Sequence, residues 1–193
     1  IIKNGSIYDG KGSEPYQADI GISNEKIVEI GDIKGEAKKV IDAEGKIVTP
    51  GFVDIHTHYD GQVTWDPYLR PSTYHGVTTV VMGNCGVGFS PCKPDQRNWL
   101  IGLMEGVEDI PGTALHEGID WEWESFPEYL DALEKKPLAI DAGTQIPHGA
   151  VRAYVMGERG INHEEASQEE IDTMKEIVQE AIKAGAYGFS TSR

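Results

Sequence analysis

The sequence holds only two cysteines, Cys85 and Cys92, in 193 residues. That is too few for a disulfide scaffold, so a reducing, cytoplasmic setting is expected. Basic residues are also scarce: 17 Lys and Arg stand against 32 Asp and Glu, for a formal net charge of -15. A field of that sign repels phosphate backbones and anionic lipid, so neither nucleic acid nor a membrane is expected as a partner. No apolar run approaches the roughly 18 residues that cross a bilayer. The opening IIKNGSIYDG has no basic leader and no long apolar core, so no secretory leader is expected. It has no initiator Met either, so the true N-terminus is expected to have been trimmed. Repeats and low-complexity segments are missing as well. What is there, 39% hydrophobic and 25% charged, suits an ordinary soluble globular protein and not a disordered chain.

Residues 1–49 read as short strands separated by turns. Ile1-Ile2-Lys3 leads to an Asn4-Gly5 turn signal, and Ala18–Ser23 and Lys26–Ile30 alternate in polarity. Lys46–Thr49 follows the Glu44-Gly45 turn. From Pro50-Gly51 onward the texture changes to strands alternating with helices. Strands are expected at Phe52–His58, Val77–Met82, Leu138–Ile146 and Ala186–Thr191, the second buried on both faces. Helices are expected near Asp95–Val107, after Ser125, and over Gln168–Ala184. Ser125 with Glu128, and Ser167 with Glu170, have capping-box spacing. Ile171, Met174, Val178, Ala181 and Ile182 make one apolar stripe, closed by Gly185. The acidic run Glu164, Glu165, Glu169 and Glu170 suits a solvated helix start. Four βα-type units in series predict an α/β barrel or an open doubly wound sheet, and in the first case half a barrel, since eight units need about 250 residues.

The chemistry centres on Asp54-Ile55-His56-Thr57-His58. Side chains alternate along a strand, so His56 and His58 project to one side and can grip one metal from adjacent corners. The end of a parallel strand is where barrel enzymes place their sites. The plainer use, a polar pair closing a strand, fits this context less well. Asp54 shares that face, either orienting an imidazole or serving as a structural partner. Cys85, in Gly83-Asn84-Cys85-Gly86 just past the second strand, is placed as a soft metal ligand, although a free cysteine is more commonly a core residue. Cys92 lacks the strand-end position and is read as structural. His148 is read as ending the third strand at the same mouth, where it either contacts substrate or makes a structural hydrogen bond. His75 is read as a C-cap residue, and His116 and His163 as loop residues. Ser190, Thr191 and Ser192 are candidates to line the substrate site. Trp121, Trp123, Phe126 and Tyr129 read as a packing cluster. Arg70, Arg152 and Arg193 are candidates for a substrate carboxylate by charge alone.

The strings PGFVDIHTHYDGQVTWDP and HGVTTVVMGNCGVGFSP closely resemble N-acyl-D-amino-acid deacylases (D-aminoacylases) of the amidohydrolase superfamily. PHGAVRAYVMGERG and AGAYGFSTSR extend the resemblance over essentially the whole chain. The HxH is common to the superfamily, and the GNCG string is much narrower. The resemblance implies a metal-dependent hydrolase TIM barrel joined to a small β-sandwich assembled from both chain ends. Residues 1–49 would then be the N-terminal portion of the sandwich, and residues 50–193 the first half of the barrel, about four βα units. It implies one or two zinc ions, with His56 and His58 holding one position and Cys85 bridging towards a second. The remaining ligands, two later histidines, and the catalytic aspartate would lie beyond Arg193. The implied reaction is hydrolysis of the amide bond of N-acyl-D-amino acids to a carboxylate and a D-amino acid. The alternatives are another amidohydrolase acting on cyclic amides or D-dipeptides, or an inactive fragment. Cyclic amidohydrolases usually bridge two metals with a carboxylated lysine on the fourth strand. Here that strand reads AYGFSTSR, without lysine, which favours the deacylase reading.

Overall fold

A computed structural model describes residues 1–192 and divides the chain into two compact units, Ile1–Gly51 and Phe52 onward. In the first unit, β1 (Ile2–Ile7), β2 (Tyr16–Ser23) and β3 (Lys26–Gly31) form an antiparallel meander. The short β4 (Ile41–Asp42) and β5 (Ile47–Val48) run parallel to β1. Asn24 and Glu25 both take positive φ, as a two-residue hairpin turn between right-twisted strands requires. Asn4-Gly5, expected as a turn, lies inside β1 as an irregularity in its pairing with β2. Burial explains the difference. A Cβ at Gly5 would sit 2.5 Å from Val48 Cγ2, so this glycine lets two strands approach closely.

The second unit begins with β6 (Phe52–Asp54) and β7 (Val77–Met82). Helices α1 (Arg97–Glu108), α2 (Gly112–Gly118) and α3 (Phe126–Glu134) follow, then β8 (Asp141–Thr144) and β9 (Ile146–Pro147). Helices α4 (His148–Met156), α5 (Glu158–Ile161) and α6 (Gln168–Ala184) and strand β10 (Phe189–Ser190) complete it. β6, β7 and β8 pair in parallel, with Asp54 opposite Val80 and Val80 opposite Ala142. β9 and β10 also pair in parallel. Four successive strand positions therefore neighbour one another in chain order, the third interrupted at Gln145. This is a mixed α/β architecture in which β6, β7 and β8 run in one direction and end on one side.

Val80, Met82, Leu100, Met104, Leu115, Phe126, Tyr129 and Ile146 are buried in its core. Trp121, Trp123, Phe126 and Tyr129 pack ring against ring, as expected of a packing cluster. Helix α6 has its expected bounds, its capping box and its closing Gly185. Its stripe is less buried than expected: Ala181 is enclosed, whereas Ile171 and Ile182 are exposed. In β7, Val80 and Met82 are enclosed while Val77, Thr79 and Val81 on the other face are half-buried, so the strand is not buried on both faces. The first strand stops at Asp54, four residues before its expected end. Helix α2, unexpected from the sequence, begins and ends on glycine, and it carries His116 on a helix instead of a loop.

The cap of α3 yields a direct test. Ser125 Oγ accepts the Glu128 N–H, and the Glu128 carboxylate accepts the N–H groups of Ser125 and Glu124. Those bonds, that from Ser125 first, hold Glu128 below the ordinary Glu range. Ser125→Ala is expected to cost about 1 kcal/mol in urea unfolding. The Glu128 contribution is full above its ordinary pKa and is lost as pH falls through the depressed folded value. The stability gap between the parent and Glu128→Ala should therefore narrow in acid.

Candidate metal centre

Beyond Asp54 the chain keeps one more ladder-like bond, from the Thr57 N–H to Val81 O at 2.9 Å. The Asp54 carboxylate accepts the His56 main-chain N–H at 3.2 Å and turns the chain out of the strand. Of the two readings of Asp54, its hydrogen bonding supports a backbone role. His56 and His58 nonetheless emerge side by side, with ring centroids 5.5 Å apart. The strand ends early, yet the turn at His56 still leaves the two imidazoles next to each other.

Cys85 arrives from the end of β7 on a tight turn. It takes φ 55 and ψ 15, a left-handed conformation that costs a non-glycine residue roughly 1–2 kcal/mol. Gly83 and Gly86 each take φ 73. A Cβ at Gly83 would lie 2.1 Å from Gln145 O, and one at Gly86 3.0 Å from Thr191 Cα. Only glycine fits either place, and strain concentrated at such a turn is usual at functional sites. The turn sets Cys85 Sγ 3.2 Å from His56 Nε2.

One ligand atom each from His56, His58 and Cys85 lies within 4.8 Å of the others. Ligand atoms around one tetrahedral ion stand roughly 3.5 Å apart, so small side-chain adjustments close this cluster on a single ion. His58 Nδ1 is buried without a hydrogen-bond partner among the described residues, an orphan that a ligand would satisfy. Burial, and next the His56 ring, hold His58 below the ordinary histidine range, favouring the neutral, ligating imidazole. Two imidazoles and a thiol suit a borderline-soft divalent metal.

The other predicted residues fall elsewhere. Cys92 is fully buried and burial pushes its thiol up to about 12, consistent with a structural role. His148 does not end a strand: it is the first residue of α4, because Pro147 closes β9 and precedes the helix. Its Nδ1 lies 3.3 Å from Thr191 Oγ1, and its ring stands edge-on to Phe189. His75 ends a 3-10 turn that the left-handed Gly76 caps. Arg70 is paired with Asp66 at 3.3 Å, and Arg152 donates to the Gly160 and Glu164 carbonyls. Arg193 lies outside the described residues. Ser190 is buried and binds the Cys85 turn, accepting from Gly86 N–H and donating to Gly83 O. Sequence reasoning passed over Asn84, Gln145 and Asp60. Asp60 is 2% exposed, and burial pushes its carboxyl up to about 7 against a hydrogen bond from Gly83. Its position two residues after His58 was the available signal.

Residues 39–193 match the amidohydrolase family. The chain belongs to it. This amidohydrolase chain is 34% identical over 192 residues to a D-aminoacylase of Alcaligenes xylosoxydans xylosoxydans, covering 99% of this chain and 37% of that protein. The N-acyl-D-aspartate deacylase of the same organism is 32% identical, over 99% and 36% of the two chains. A crystal structure of the N-acyl-D-glutamate deacylase from Bordetella bronchiseptica, complexed with zinc and a phosphonate inhibitor, matches with a TM-score of 0.81 at 32% identity. That match covers 98% of this chain and 37% of the other. The amidohydrolase chain thus spans little more than a third of these relatives' length.

The two thiols of the folded amidohydrolase should differ sharply in reactivity. In metal-free protein, iodoacetamide at mildly alkaline pH should modify Cys85 and spare Cys92, read by peptide mass; equal modification would contradict the burial of Cys92. Gly83→Ala should destabilise by about 2 kcal/mol or more, from the positive φ and the collision with Gln145 O together.

Proposed function

We propose that the intact protein hydrolyses the amide bond of N-acyl-D-amino acids, releasing a carboxylate and a D-amino acid, with one or two zinc ions at the centre. The observation that carries this reading is the convergence of His56, His58 and Cys85 donor atoms within 4.8 Å beyond adjacent parallel strands. The names of the relatives, D-aminoacylase and N-acyl-D-aspartate deacylase, supply the substrate class. In this reading His56 and His58 hold one metal position and Cys85 bridges towards a second. The absence of lysine from the segment around β10 weighs against a cyclic-amide hydrolase with a lysine bridge. Residues 1–49 are read as the N-terminal portion of a small β-sandwich. Residues 50–193 are read as the first half of a TIM barrel, about four βα units, and the parallel, chain-ordered strands support this. A cytoplasmic setting fits the two unpaired thiols. No helix among the described residues is long and apolar enough to cross a membrane.

Bound zinc supplies Lewis acidity towards the scissile carbonyl and activation of water at neutral pH. The protein's part is placement. Asp54 fixes the main chain at His56, and the glycine-flanked turn delivers the thiol from the neighbouring strand. Burial keeps His58 neutral and ready to ligate. His148, hydrogen-bonded to Thr191 and resting on Phe189, is the candidate for substrate contact. The resemblance to the deacylases assigns the base that would pass a proton to the leaving amine to a later aspartate, outside the His56, His58 and Cys85 cluster.

A panel of N-acyl-D-amino acids, hydantoins and D-dipeptides tests the reading with the intact protein. Turnover is expected in the first set, with zinc in the purified protein. His56→Ala and Cys85→Ala should each weaken zinc binding by roughly 100-fold or more. Turnover confined to hydantoins or dipeptides, or a protein without metal affinity, would overturn it.

A further inference from the structure

We propose that Asn84 is a positioning residue of the metal centre, its side-chain amide fastening the Cys85 turn to the peptide between His56 and His58. The proposal rests on the metal reading of those three residues. Asn84 is 6% exposed and sits immediately before Cys85. Its Nδ2 donates to Thr57 O at 3.1 Å and to Val81 O at 2.9 Å. Its Oδ1 accepts from Gln145 Nε2 at 2.8 Å. Both amide protons and one acceptor position are thus used inside the protein, and each bond reaches a different strand end.

Thr57 is the decisive partner, because it is the residue between the two histidines. One amide therefore touches both halves of the cluster: it precedes the thiol and holds the main chain that carries the imidazoles. Val81 O is the shared node, accepting from Thr57 N–H, Thr57 Oγ1 and Asn84 Nδ2. The Cys85 conformation costs free energy, and a turn of that kind persists only when its surroundings over-determine it. Ser190 holds the turn from the fourth strand, and Asn84 holds it from the first. A serine or aspartate at position 84 would fill part of the space without both donors. An ordinary buried asparagine would support the fold alone. A positioning asparagine sets the distance from sulfur to nitrogen, and the two roles separate experimentally.

The test uses the intact protein with zinc, read by chelator competition, and with cobalt, read by the thiolate-to-cobalt charge-transfer band. Asn84→Asp keeps an acceptor for Gln145 and removes both donors. Zinc affinity should fall by about 10- to 100-fold, and the cobalt band should weaken or shift. Gln145→Met, which leaves Asn84 intact but unanchors its amide, should lower affinity by a smaller factor and alter the band in the same direction. It decides the matter if Asn84→Asp does not fold. Ser125→Ala, destabilised at the remote α3 cap, should keep parental affinity and band. Parental affinity and band in every variant of Asn84 and Gln145 that folds would overturn the proposal while leaving the metal reading intact. If Cys85→Ala bound zinc as the parent does, the metal reading would fail first and take this proposal with it.

Discussion

The main chain at Gly83 passes the carbonyl of Gln145 too closely for any side chain to stand between them. This contact joins the second and third strands at the edge of the site, and much else follows from it. Because Gln145 interrupts the third strand between β8 and β9, its side chain is free to reach Asn84. Because Gly83 takes a positive φ, the chain reverses in the space of one turn. The thiol of Cys85 then comes back over the first strand, beside the His56 ring. A wider turn would carry the sulfur away from the imidazoles.

The centre combines a rigid frame with a labile set of donors. The frame joins main chain to one carboxylate: parallel pairing of β6 with β7, the Thr57–Val81 bond beyond it, and the Asp54 carboxylate on the His56 amide. None of these bonds uses a ring nitrogen of the histidines or the sulfur of Cys85. His58 lies in a setting that disfavours its cation, while His56 remains exposed and Cys85 half-buried. In the proposed metal reading, donors already held near one another would reduce the ordering that binding must impose.

The His56 and His58 pair was legible from its spacing, although the chain bends at His56 and the two rings meet without a strand to carry them. Helix α6 was legible down to its bounds because Ser167, Glu170 and Gly185 are local signals, acting within one turn of where they stand. The glycines around Cys85 announced a turn, though not its hand. Other features depended on partners far along the chain. Asn84 meets Thr57 across 27 residues and Gln145 across 61, and nothing near Asn84 in sequence names either partner. Helix α2 escaped notice because it is one short element bounded by glycines, with Leu115 enclosed by tertiary packing. His148 was displaced by one residue, because proline reads equally as the close of a strand and the approach to a helix. Asn4-Gly5 misled for a related reason: a glycine needed for close approach of strands looks the same as one needed for a turn.

The fastening of Gly86 by Ser190 spans 104 residues of chain. During synthesis the two histidines and the thiol all emerge long before Ser190 does. Throughout that interval the nascent chain carries the donors without the last clasp on their turn. The clasp on the turn is thus the one part of the cluster's surroundings that is synthesised last. Helix α6, capped at both ends by local signals, is the element that carries the chain to β10 and so to Ser190.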